Sequence, residues 1–231
     1  MKKMILFLVA VFVAFCDKNM PLTDGVITLV KGVASVEHVD ASGSRKNISV
    51  KPGDKVYVGD TIVTGEDSAV LFEIKGAQME IQANSRFQYE SMGDEKKVFL
   101  QKGNAWTSVS KMPEHGRFTL RTPITVAGVR GTKFLTVTNG ETTGTCHCEG
   151  KIAFKNNLSG KEEENDRDYL MFYRGKKSVK LLAADFKKMG LSTNHDHSSM
   201  EHSSLGKQSK MTPAQSAALQ AYVDKKFAEQ K

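Results

Sequence analysis

The residues whose types suggest chemistry are Cys146-His147-Cys148 and, further on, His195-Asp196-His197 with Met200 and His202 beside them. On a β-strand the two thiols would point to one face and His147 to the other. A pair of thiolates supplies half of a tetrahedral metal site, and His195, His197 and His202 are the candidates for the rest. Sulfur with imidazole suits zinc or copper. Two alternatives stand beside this reading. A Cys-x-Cys disulfide closes a very tight ring that strains extended backbone. Otherwise, both cysteines pack as small apolar residues while the histidine tract stays solvated. One Cys-x-Cys pair is also weaker evidence than two spaced Cys-x-x-Cys pairs.

Catalytic chemistry finds no support. Ser68, Ser85, His115 and Asp60 stand in turns or strands, without a nucleophile-elbow, zincin or phosphate-loop context. Asp54 and Asp60 read more simply as turn formers than as paired carboxylates. The chain is therefore expected to be non-enzymatic. Arg130, beside β-branched residues and between Gly128 and Gly131, is expected to be partly buried against a carboxylate. Together with Thr132 these residues read as a structural corner rather than a ligand site.

The elements around that corner read as β-structure. Phe118, Leu120, Ile124 and Val126 alternate with polar residues like a half-buried strand, with Pro123 at a bulge or on an edge. A second strand resumes at Phe134 and Val137. Gly131 is expected to take a positive φ. From Gly25 to Val137 turn signals recur about every eight to twelve residues, including Asp40–Ser44, Pro52-Gly53, Gly59-Asp60, Lys75-Gly76 and Met92–Lys97. Helical periodicity is lacking there, and the Gly-Asp turns keep no fixed period. The fold class is therefore all-β, a sandwich or rolled sheet rather than a solenoid.

Beyond Ile152 the pattern changes. Lys161–Asp166 reads as a solvated loop, Tyr169–Tyr173 and Val179–Leu182 as strands, and Leu182–Met189 as a short helix stopped by Gly190. The β domain is thus placed at residues 25–190. Residues 191–211, rich in Ser, His and Lys, read as a flexible linker. Thr212-Pro213-Ala214-Gln215 then opens a helix over 212–231 with a capping box. Its narrow apolar face (Leu219, Tyr222, Val223, Phe227) must dock on the domain or on a partner, or else remain marginal alone.

The first fifteen residues read as a targeting segment, with Lys2 and Lys3 ahead of an apolar run that is too short to span a bilayer. That run stops at Cys16, followed by Asp17-Lys18-Asn19, and resembles the lipobox of bacterial lipoproteins, although Phe15 departs from the small residue usual before the cysteine. Residues 16–24 then form a tether, and acylated Cys16 would supply the membrane anchor. Loss of Lys2 and Lys3 lowers the formal charge from +7 to +5. No dense basic run with interleaved aromatics exists, so nucleic acid is not an expected partner.

Several spaced motifs resemble the FecR domain. They are Thr122-Pro123 with Val126-Ala127 and Val129-Arg130-Gly131-Thr132-x-Phe134; Gly59–Gly65; Ser68–Leu71; Glu80–Ser85; and Leu100, Gly103 and Trp106. The resemblance covers about Val26–Ile152. It implies an extracytoplasmic all-β domain in the cell envelope, most simply at the outer membrane, that binds or senses a ligand or an envelope protein. Sensors of that family carry a cytoplasmic anti-sigma segment and a membrane-spanning helix ahead of the domain. Here the domain follows Cys16 closely, so direct signalling to a sigma factor is not expected. A zinc- or copper-binding lipoprotein is the second reading and a carbohydrate or peptidoglycan binder the third. The third would need an exposed aromatic platform, whereas Trp106 sits in a core-like strand.

Overall fold

The structure, a computed structural model, describes residues 23–40, 42–110, 116–165, 170–191 and 212–230. In chain order the strands are β1 (Gly25–Lys31), β2 (Ala34–Val39), β3 (Arg45–Ser49), β4 (Lys55–Val56), β5 (Thr61–Thr64) and β6 (Ala69–Ile74). Next come β7 (Ala77–Ile81), β8 (Arg86–Ser91), β9 (Glu95–Val109), β10 (Arg117–Arg121), β11 (Thr125–Val129) and β12 (Thr132–Thr138). Then follow β13 (Thr142–Glu149), β14 (Ile152–Asn156), β15 (Glu162–Asn165), β16 (Leu170–Arg174) and β17 (Lys177–Leu181). The helices are α1 (Ala183–Lys188) and α2 (Pro213–Glu229).

These strands form two facing sheets. Sheet A has the order β4-β1-β6-β7-β9-β12-β13-β16-β17. Sheet B has the order β3-β2-β5-β8-β9-β10-β11-β14-β15. From β10 onward, consecutive hairpins are dealt alternately to sheet B and sheet A. All-β architecture of the sandwich type, expected from the turn spacing, is what the chain adopts.

Strand β9 belongs to both sheets. Its first half pairs with β8 and β10, and its second half with β7 and β12. The change falls at Gly103, where φ is +98°. A Cβ there would lie 2.1 Å from Ser85 Oγ, so only glycine lets the strand cross between layers beside Ser85. The sequence reads as two short strands around Gly103, but the chain folds them as one bent strand.

Between the sheets lie the alternate residues of each strand. Phe72 packs edge-on against Phe87 and Tyr89 with ring centroids 6.2 and 5.5 Å apart, and Phe118, Phe134 and Phe154 fill the far half. Each such side chain contributes about 1.5–3 kcal/mol when fully buried. Trp106 is buried too, but on the outer face of sheet A, where it packs with Leu71, Leu29 and Leu135. It offers no exposed aromatic platform.

Two further sequence readings change. Phe118–Val126 is not one strand: Pro123 sits in the turn between β10 and β11, where its missing N–H costs no ladder bond. Glu162–Asn165, expected as loop, is a strand, because β14 offers it an open edge and pairs with it throughout. Polar composition hid it, since an edge strand can carry charge on both faces.

Helix α2 docks on the outer face of sheet A. Val223 and Phe227 bury against Leu170, Phe172, Val179 and Leu181, with Leu219 and Tyr222 packed at the margin. Thr212 Oγ1 accepts from Gln215 N at 3.2 Å, and Gln215 Oε1 accepts from Thr212 N at 2.8 Å, the reciprocal capping expected from the sequence. Arg174 reaches Asp224 at 2.5 Å and stacks over Phe227 at 4.7 Å, while Tyr222 donates to Asp185 of α1 at 2.7 Å. Among the described residues, no helix is long and apolar enough to cross a membrane.

Candidate functional site

The corner read from the sequence is where the chain passes from sheet B to sheet A. β11 ends at Val129, Arg130-Gly131 makes the crossing, and β12 starts at Thr132. Gly131 has φ +65°, the left-handed conformation expected of it. Thr132 is buried, and its hydroxyl donates to Lys151 O at 3.0 Å. That bond ties the crossing to the neighbouring one, Gly150-Lys151, which carries the chain from β13 back to β14. His147, also buried, lies with Nε2 2.9 Å from Gly150 O. Arg130, expected to be partly buried, is exposed. The corner therefore holds through backbone approach and the Thr132 hydroxyl rather than through a buried guanidinium.

Gly128 plays a different part. It lies inside β11, paired on both sides, and the nearest atom to a Cβ there would be Ala153 O at 3.9 Å. Its missing side chain opens a shallow groove of about 280 Å³ on the outer face of sheet B. Val126, Ala153, Lys155, Glu162 and Glu164 line it.

Of the candidate metal ligands, the structure describes one side chain. Cys146 points to the outer face of sheet A, half-buried in the cluster under α2. His147 points inward, as strand alternation requires. The β12–β13 register shifts between Lys133 and Phe134, which pair with Glu149 and His147, so Cys148 falls at the bulge. The side chain of Cys148 and residues Cys16, His195, His197 and His202 lie outside the described residues. Among those described, no cluster of three His, Cys, Asp or Glu side chains is placed to hold a metal ion.

Other constellations were not legible beforehand. Asp60, read as a turn former, is buried and accepts from Tyr57 N at 2.8 Å, while its second oxygen lies 2.6 Å from His38 Nδ1. A carboxylate only accepts, so His38 Nδ1 donates and the imidazole is fixed over the β5 corner. At the entry of the chain, Asp24 accepts from Tyr89 and from Lys96 Nζ, the latter at 3.0 Å. Burial would raise the Asp24 carboxyl, but these hydrogen bonds outweigh it and hold the group below its ordinary value. Burial, with Asp24 adding to it, pushes the Tyr89 phenol far up.

The outer faces of the two sheets differ. Sheet A carries an apolar stripe through Leu71, Trp106, Leu135, Cys146 and Phe172, the last two under α2. Sheet B carries ion pairs between strands. Arg86 forks onto Glu37 at 2.7 and 2.6 Å, and Arg121 onto Glu90 at 2.9 and 2.7 Å while lying 4.7 Å over Phe99. The guanidinium hydrogen bond with Glu37 lowers that carboxyl, and Arg86 is raised in turn. Glu37, Glu90 and Arg121 all occupy solvent-side strand positions, so alternation was the available signal.

The fold and site together define an all-β sandwich with a docked terminal helix and no assembled catalytic set among the described residues. A family model described as FecR protein matches residues 60–153, from Asp60 just ahead of β5 into β14. The resemblance read from the sequence therefore holds there, and this stretch is a FecR domain. No curated protein matches the chain. Two crystal structures of a candidate anti-sigma factor from Parabacteroides distasonis ATCC 8503, at 1.65 and 2.50 Å, are similar to it. Each has 16% identity and a TM-score of 0.46, and the alignment covers 52% of this chain and 58% of that one. The chain thus spans less than two thirds of the length of those proteins.

Proposed function

We propose that this protein is a non-enzymatic, lipid-anchored component of the cell envelope that senses or recognises another envelope protein through its FecR domain. The observation that carries this reading is the match of residues 60–153 to FecR, whose members are regulatory and envelope-associated. Sheet A supports the same reading. Its outer apolar stripe is buried along Leu71 and Trp106 and packed under α2 further on, whereas sheet B presents charged pairs and the Gly128 groove to solvent. An envelope partner therefore meets sheet B. Acylated Cys16 holds the domain at the membrane, most simply the outer one, with residues 16–24 as tether.

The test uses the full chain in its native envelope, with a photocrosslinking side chain at Gln88 on the outer face of sheet B. A discrete adduct with a different protein is expected, and Cys16→Ser should move the chain from the membrane fraction to the soluble one. Absence of any adduct from Gln88 and from Thr119, on β10 of the same face, would sink the proposed recognition face. Unchanged partitioning of Cys16→Ser would sink the anchor.

A further inference from the structure

The two edges of sheet B carry opposite charge. β3 reads Arg45-Lys46-Asn47-Ile48-Ser49 and is exposed at every residue. β15 reads Glu162-Glu163-Glu164-Asn165. Among the described residues β3 pairs only with β2 and β15 only with β14, so each leaves one row of backbone donors and acceptors open. Val39, at 48% exposure, and Ile48, at 51%, add exposed apolar surface to the β2–β3 edge.

From these edges we infer that sheet B extends head to tail, with β3 of one copy adding to β15 of a second copy of this chain. Three independent features agree. Across sheet B the strand directions reverse at every step but the parallel β9–β10 pair, so β3 and β15 run in opposite directions. A second copy that keeps its outer face on the same side therefore brings β3 to β15 antiparallel, the pairing that a hydrogen-bonded ladder favours. Side-chain parity matches as well. Arg45 pairs with Val39 and Asn47 with Glu37 on the outer face, as do Glu162 with Lys155 and Glu164 with Ala153. Lys46 and Glu163 share the inner face, opposite His38 and Phe154.

The register that places Lys46 against Glu163 then sets Arg45 against Glu164, opposite charges facing each other on both faces of the new pair. At present Lys46 lies 3.9 Å from Asp40, and Glu163 lies 2.9 Å from Lys161 and accepts from Ser178 Oγ at 3.4 Å. The lysine end of each pair is exposed and Glu163 is half-buried, so both pairs are weak enough to exchange for a cross-strand partner. The contact is heterologous and does not close on itself, so it builds an open row of copies rather than a symmetric dimer. The basic residues on β3 would block indiscriminate edge pairing while admitting an acidic strand. This inference concerns contacts between copies; it shares Glu162 and Glu164 with the groove on the recognition face but does not depend on what binds there.

The full-length chain in detergent is examined by sedimentation at rising concentration, alone and as charge-reversed variants. Wild type is expected to form a concentration-dependent ladder of species that shrinks at high salt. Arg45→Glu with Lys46→Glu, or Glu163→Lys with Glu164→Lys, should each give a chain of monomer mass. An equimolar mixture of these two variants should rebuild the ladder, because each then offers the edge the other lacks. Unchanged circular dichroism of each variant keeps misfolding out of the comparison. Monomeric wild type at every concentration overturns the inference, as does a mixture that stays monomeric or a single-edge variant that associates like wild type.

Discussion

Gly150 tests whether the sheet crossings hold this sandwich through close backbone approach. Its φ is +92°, and a Cβ there would stand 2.5 Å from Gly131 O and 2.7 Å from Thr132 Oγ1. Gly140 has nearly the same φ, +97°, but nothing lies within 4 Å of its Cβ position. Gly150→Ala and Gly140→Ala therefore share the conformational cost, on the order of 1–3 kcal/mol. Only Gly150→Ala adds a contact with backbone, which no rotamer change can relieve. The two crossings must separate, and the Thr132 hydroxyl bond to Lys151 O, now 3.0 Å, lengthens or breaks. A lost buried hydrogen bond of about 1 kcal/mol and comparable strain put the difference between the variants near 2 kcal/mol. For a domain of this size that is roughly 4–8 °C in thermal midpoint, read by circular dichroism on the two variants side by side. If their midpoints coincide, the crossings tolerate separation and the argument for the corner fails.

Asp24 and Lys96 should make stability fall in acid. The folded Asp24 carboxyl lies below its ordinary 3.8, so its contribution is complete above that value and drains away as pH falls through the depressed one. Lys96→Met should cost about 2 kcal/mol at neutral pH, less than a fully buried pair, because Asp24 keeps partial exposure; denaturant melts in which its deficit persists undiminished below the carboxylate range would refute the pairing. Thr136→Val should have the opposite sign. Thr136 is buried at 1% exposure, and its hydroxyl finds no hydrogen-bond partner. Replacing it with a methyl of the same shape should stabilise by about 1 kcal/mol, and a lower melting midpoint would mean the hydroxyl is satisfied after all.

Local chemistry made much of this protein legible from its sequence. Alternation and turn residues announced an all-β sandwich, because a half-buried strand must repeat every two residues and a tight turn needs glycine, asparagine or proline. The spaced motifs between Gly59 and Phe134 pointed to a FecR domain, and Thr212 with Gln215 announced the capped start of α2. The left-handed backbone at Gly131 followed from local chemistry as well. Tertiary structure alone decided what depends on partners distant in the chain. Glu162–Asn165 became a strand because β14 offered an edge. β9 became one strand shared by two sheets because Ser85 packs against Gly103. Arg130 came to lie at the surface, where the chain crosses from sheet B to sheet A. Asp60 meets His38, and Asp24 meets Lys96, only when strands far apart in sequence come into register. Composition and spacing report what a residue prefers, whereas register, layer and edge are set by what the rest of the chain places beside it.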